Sequence, residues 1–423
     1  MRAFNALTSR QLRQLWYIPL LGLAMGLMMV RTLVMAKILD IPSFAQFSGG
    51  QLASSTFCML GCFGLYPLLQ RELPVQMVRH REQVGTVLLV QCLLVATVCA
   101  VVGIMLAAAG VSVMGLHPAL LAVGVLHGLS QQVFLAVTLE SRSRGQPLQF
   151  AQQNLGRAGI ALALGCGVGV ALESATAVLL AEAVVSLLLT LRIFRGVLQR
   201  SRIKATVVFV LAARRMGRIP WPSAMALMAV LFVSFAFLNA DRWAAAQLLQ
   251  PTAFALYAFA WTLLLVAQSL QAVINASFFP LLTRRFASAG SSAAFELCAR
   301  ASFGLLLACA VVSWPAGWLL NAVVLNWFPV YAESTSTIDI FLWVAALRIS
   351  DFWSSYLIII GKENRLLLVY LAVGILVFVG WMYAVQPWAN EAITIDEIAW
   401  LSVVLSVVGY IATFLTAWST RRS

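Results

Sequence analysis

Three arginines and two acids, Arg31, Arg157, Arg348, Glu182 and Asp351, stand inside long apolar runs of this chain. Arg157 has Gln153 and Asn154 one turn back on the same helical face. Asn239, Asp241 and Arg242 stand at the end of a seventh apolar run. With Asp241 and Arg242 included, arginines exceed acids by four to three. A guanidinium grips phosphate oxygens two at a time through its planar fork, so this excess suits an anionic ligand. The acids Glu182, Asp241 and Asp351 are the groups that could neutralise these arginines or couple a cation. In the eighth run, Gln268, Gln271 and Asn275 recur at helical spacing and could hydrogen-bond sugar hydroxyls. Nothing points to bond-making chemistry. A phosphate-cradling P-loop is missing, no nucleophile faces a base, and the few His and acids never gather at metal-ligand spacing. Neither an enzyme nor a cofactor nor a metal site is expected.

Each of these residues also has a plainer account. Arg348 and Asp351, three residues apart, can neutralise each other. Arg31 can snorkel to the headgroups. Asp241 and Arg242 can form an interfacial cap or gate. Arg157 has no acid near it in its own helix, and Glu182 could pair with it across two helices. The amides of the eighth run, Gln51 and Ser55 in the second, and His127 with Gln131 in the fourth can be interhelical hydrogen bonds. On this account His127 is a packing residue rather than a proton carrier. The seven cysteines form no CxxC pair and read as small apolar packing residues.

The elements that must position these side chains follow from composition. The 423 residues are 62% hydrophobic and 10% charged, with mean hydropathy +0.92. No soluble interior hides so much apolar surface, so lipid must solvate much of it. Twelve runs are long enough to cross a bilayer as helices. The first six are Leu15–Leu39, Phe44–Leu69, Val84–Ala109, Leu116–Leu139, Leu148–Leu172 and Ala175–Phe194. The second six are Trp221–Asn239, Phe254–Phe279, Ala301–Val324, Ile340–Ile360, Leu366–Val385 and Ile398–Trp418. The pattern predicts an all-α polytopic membrane protein. Gly22-xxx-Gly26 and Gly165-x-Gly167-x-Gly169 are close-packing surfaces.

Charge placement orients the chain. With the N-terminus inside, 23 of the 28 Lys and Arg fall on the cytoplasmic side, while Asp40, Glu173, Glu333, Asp339 and Glu391 fall outside. This positive-inside pattern puts both termini in the cytoplasm and makes the net charge of +13 a topology signal rather than a nucleic-acid footprint.

An internal repeat divides the chain. Ala36–Leu39 and Phe44-Ala45-Gln46-Phe47 return 210 residues later as Ala246–Leu249 and Phe254-Ala255-Leu256-Tyr257. Pro67-Leu68-Leu69-Gln70-Arg71 returns at an offset of 213 as Pro280-Leu281-Leu282-Thr283-Arg284. Both copies run in the same direction, which predicts two parallel six-helix bundles, 1–194 and 220–423, joined by a basic cytoplasmic linker, 195–219.

The stretch from Arg31 to Pro74 resembles the first two helices of bacterial polysaccharide (O-antigen type) flippases. These belong to the multidrug/oligosaccharidyl-lipid/polysaccharide exporter superfamily. The likeness rests on Arg31, Ala36–Leu39, Phe44–Phe47, Gly64-Leu65 and Arg71-Glu72, and in the second half on Asp241, Ala255-Leu256-Tyr257 and Pro280. Ala45 and Ala255 stand where the family often has glycine. The resemblance implies alternating-access transport of a polyprenyl-diphosphate-linked oligosaccharide across the bacterial cytoplasmic membrane for surface polysaccharide. It also implies a polysaccharide polymerase and glycosyltransferases as partners. Arg31, Arg157, Arg242 and Arg348 would then meet the diphosphate, and Gln268, Gln271 and Asn275 the glycan. The other reading is a cation-coupled drug or metabolite antiporter of the same superfamily.

Overall fold

The computed structural model describes residues 16–111, 116–385 and 393–421, without the side chains of 18, 266–270, 272–273, 275–277, 280 and 384–385. Among these residues the chain is helical and has no strand. It divides into two units, Met1–Phe232 and Val233–Ser423. In chain order the helices of the first unit are α1 (Tyr17–Ile38), α2 (Ile41–Leu60), α3 (Leu65–Val78), α4 (Glu82–Ala108), α5 (Pro118–Ser143), α6 (Pro147–Leu172), α7 (Ala175–Ser201) and the short α8 (Ala205–Arg214). Helix α9 (Trp221–Leu248) crosses the boundary. The second unit continues with α10 (Pro251–Trp327), α11 (Thr335–Ser350), α12 (Trp353–Ile359), α13 (Glu363–Val385) and α14 (Ile395–Thr420).

Local chemistry sets these boundaries. Asp40 caps α2 by accepting from Ser43 N (3.0 Å), with Pro42 in the first turn. Thr394 and Glu397 form a reciprocal capping box at the start of α14. The second expected span is broken. Phe63 and Gly64 take left-handed backbone (φ 44° and 76°), and α2 and α3 bend by 55° across them. The long α10 is likewise interrupted at Gly290 (φ 80°, ψ −177°), which separates the eighth expected span from the ninth. The expected linker is partly helical: α7 runs on to Ser201 and α8 fills 205–214.

Ten helices are long and apolar enough to cross a membrane, eleven if α2 and α3 count as one bent span. That count covers the described residues, and the eighth expected span falls partly outside them. Large apolar side chains face outward along these helices, for example Val98, Val101, Val102 and Met105 on α4 and Leu368, Ile375, Leu376 and Val379 on α13. Water would not tolerate so continuous a surface. The chain is a multi-pass membrane protein.

Each unit has its own core. In the first, Leu65, Leu68, Leu69 and Leu73 of α3 meet Leu89, Val90 and Cys92 of α4. In the second, fully buried Trp353 is ringed by Phe295, Phe303, Phe414 and Tyr410, with centroids 5.0–6.2 Å away. At one end of the first unit, Glu140 (1% exposed) bonds Arg144 and takes Arg200 Nη2 at 2.8 Å, while Arg144 reaches Glu82 at 2.8 and 2.9 Å. These contacts tie α4, α5 and α7 together. Because the two arginines keep other partners or water, Glu140→Ala should cost only about 1–3 kcal/mol, measured by thermal unfolding in detergent.

Candidate functional site

The charged residues do not float singly in the spans. Each unit gathers its own into a buried polar cluster. In the first unit, Arg31 of α1 is 4% exposed and donates from Nη1 to Glu182 Oε2 of α7 at 2.7 Å. His127 of α5 brings Nε2 to the same oxygen at 3.2 Å. An ionised carboxylate only accepts, so Nε2 carries the proton. In the neutral ring Nδ1 then accepts from Ser54 Oγ of α2 at 2.9 Å. Gly165 of α6 makes room for the carboxylate, since a Cβ there would lie 2.8 Å from Glu182 Oε1. The Arg31 guanidinium also lies 5.6 Å from the centre of the Phe47 ring.

Two expectations change here. Glu182 pairs with Arg31 and His127, not with Arg157. Arg31 points inward rather than snorkelling, because a buried carboxylate solvates its charge better than a distant headgroup. Arg157 instead stacks over Phe134 (4.7 Å), and its Nε has no hydrogen-bond partner. Asn154 bonds back to Phe150 O at 2.8 Å.

In the second unit, Asp241 is fully buried and accepts from Tyr257 Oη at 2.6 Å, while its Oδ1 has no hydrogen-bond partner. Arg242 lies 3.8 Å over Trp261 and reaches Asn239 Oδ1 at 3.4 Å. Neither residue sits at a helix mouth, because α9 runs on through Ala244, Ala245 and Ala246 to Leu248. Arg348, 7% exposed, donates to Ser406 (3.3 Å) and Ser402 (3.1 Å) of α14 and to Leu238 O of α9 (3.2 Å). Its guanidinium is thus solvated by hydroxyls and a carbonyl rather than by Asp351. The Asp351 carboxylate accepts from Trp353 N (3.2 Å) at the start of α12.

The two clusters are related by the repeat. At the 210-residue offset Arg31 corresponds to Asp241 and Phe47 to Tyr257. The same helix–helix contact therefore holds a cation over a ring in one unit and an anion on a phenol in the other. Tyr257, Ser402 and Ser406 were not singled out from sequence as partners, although the offset itself pairs Tyr257 with Phe47. Of the amide row, Gln271 is half-buried on α10, while Gln268 and Asn275 lie outside the described side chains.

No family profile matches the sequence, and neither does any curated protein. Solved structures do. A structure of a MATE transporter in complex with MaL6 matches with TM-score 0.60 at 13% identity, covering 96% of this chain and 95% of that one. The inward-facing form of a multidrug resistance MATE family transporter of the MOP superfamily matches at 0.56 and 15%, covering 95% and 94%. A MOP superfamily transporter from Pyrococcus furiosus, described as having a binding pocket of reversed polarity, matches at 0.57 and 13%, covering 96% and 94%. The chain has a MATE-like fold of two repeated helical bundles.

Proposed function

We propose that this chain is a transporter that moves polyprenyl-diphosphate-linked oligosaccharide across the bacterial cytoplasmic membrane by alternating access. Both inward- and outward-facing structures exist among the proteins that share its fold. The observation that carries the choice of an anionic substrate is the state of Arg157 and Arg242. Both are half-buried in spans, both stack on an aromatic ring, and among the described residues neither forms an ion pair with a carboxylate. Stacked guanidiniums keep their edge donors for a ligand's oxygens. Arg31 is held by the Glu182 carboxylate, and Arg348 gives three donors to protein oxygens, so both act as positioning residues in this reading. Charge placement puts both termini in the cytoplasm, and polymerase and glycosyltransferases would act on either side of this step.

A charge-assisted bond is worth about 1.5–3 kcal/mol, or roughly 10- to 100-fold. Arg157→Ala and Arg242→Ala, each present at normal level, are therefore expected to lower surface glycan at least about tenfold in cells that depend on the chain. Unchanged export in both variants would remove the diphosphate assignment. A cation-coupled antiporter is the second reading, favoured by the buried, hydrogen-bond-free oxygens Glu182 Oε1 and Asp241 Oδ1. Dye efflux from vesicles driven by a proton or sodium gradient would select it.

A further inference from the structure

The repeat provides an internal control for two cavities, one in each unit. The first, about 430 Å³, lies between α3 and α4 beside their connecting turn, where His80 takes φ 56°. The second, about 510 Å³, lies between the two arms of α10 beside their turn at Gly290 (φ 80°). Their linings correspond. Leu68 and Glu72 match Leu281 and Arg285 at an offset of 213, and Leu88 and Gln91 match Leu297 and Arg300 at 209. The difference of four is the shorter second turn.

The two cavities differ in what walls them. In the first, residues after α7 contribute: Gln91 Nε2 donates to Ala212 O of α8 at 3.3 Å, and Arg215 and Arg218 complete the wall. Its Gln91 thus has a structural purpose. The second is lined by α10 alone. There Glu72 and Gln91 are replaced by Arg285 and Arg300, Arg284 joins them, and Glu296, 3.5 Å from Arg300, is the lone acid in the wall. Three guanidiniums against one carboxylate leave the wall with two net positive charges. Topology does not require this. Arginines in the turn would suffice to mark a cytoplasmic face, whereas Arg300 stands ten residues past Gly290, about 15 Å along the helix.

We propose that the α10 cavity binds a phosphate-bearing lipid headgroup from the leaflet that meets the basic face of the protein. Arg284 and Arg285 of one arm and Arg300 of the other grip its oxygens. This site is separate from the transport reading, and its test reads lipid retention rather than export.

The test uses the full chain in detergent, with native mass spectrometry counting bound lipid after equilibration with phosphatidylglycerol or phosphatidylcholine. The key variant restores the first unit's residues, Arg285→Glu with Arg300→Gln. The parent should retain phosphatidylglycerol over phosphatidylcholine, and the variant should lose that preference at least about tenfold at an unchanged melting temperature. If the double variant does not fold, Arg300→Gln alone should show the loss in part. Competition identifies the source. Displacement by a short polyprenyl diphosphate shows that the headgroup held is a polyprenyl diphosphate, and resistance to it assigns the site to a resident phospholipid. Displacement by inorganic pyrophosphate shows that the anion is recognised without its tail. A variant that keeps the parent's preference, or a parent that does not discriminate, overturns the proposal.

Discussion

Glu182→Ala is expected to destabilise the first unit by about 3–5 kcal/mol, because it leaves the Arg31 guanidinium buried without a counter-charge. Arg31 is 4% exposed and Glu182 1%, so water cannot take over the lost contact. His127 loses its acceptor as well, which adds an unsatisfied ring nitrogen. Glu182→Gln should cost less, since the amide oxygen still accepts. The diagnostic variant is Arg31→Met with Glu182→Ala, which removes both charges and should regain much of the loss. Thermal unfolding of the four proteins in one detergent closes the double-mutant cycle. If Glu182→Ala melts with the parent, the pair is not holding α1 against α7.

Gly64→Ala should be comparably damaging, at about 2–5 kcal/mol, from two additive causes. A side chain disfavours the left-handed backbone at φ 76°, and a Cβ there would fall 1.8 Å from the carbonyl oxygen of Ala224. That oxygen belongs to the first turn of α9, so either the α2–α3 bend or the α9 approach must give way. Gly145 is the matched control. It has φ 71° with nothing within 4 Å of a Cβ, so Gly145→Ala should lose only the backbone part, about 1–2 kcal/mol. Equal melting of the two variants would show that the close approach at Ala224 carries no weight.

The spans were legible because lipid imposes a single demand, a long apolar helix, and hydropathy reports it directly. Their breaks were less so. The Phe63-Gly64 bend hides inside a continuous apolar run, and hydropathy does not register a left-handed residue. The end of α9 was missed because the polar triplet at 239–242 looks like a mouth, whereas its polarity is absorbed by Tyr257, Trp261 and neighbouring side chains. The residues at stake in the candidate site were legible as expensive charges, but their partners were not. Pairing across helices depends on helix rotation, which periodicity leaves free to within a residue or two. Thus Glu182 could be matched to Arg157 on paper, while the fold gives it to Arg31. The 210-residue repeat gave the two bundles and aligned Phe47 with Tyr257, but it does not say which charge each ring meets.

The pairing of Arg31 with Glu182 also has an electrical consequence. A lone guanidinium carried along the membrane normal through the whole field exchanges about 2.3 kcal/mol per 100 mV with the resting potential. Arg31 and Glu182, 2.7 Å apart, would travel as a neutral body, so a shift of their helices performs almost no work against the voltage. Among the described span residues, potential dependence falls instead on the charges without such a partner: Arg157, Arg242 and Arg348, and the carboxylates of Asp241 and Asp351.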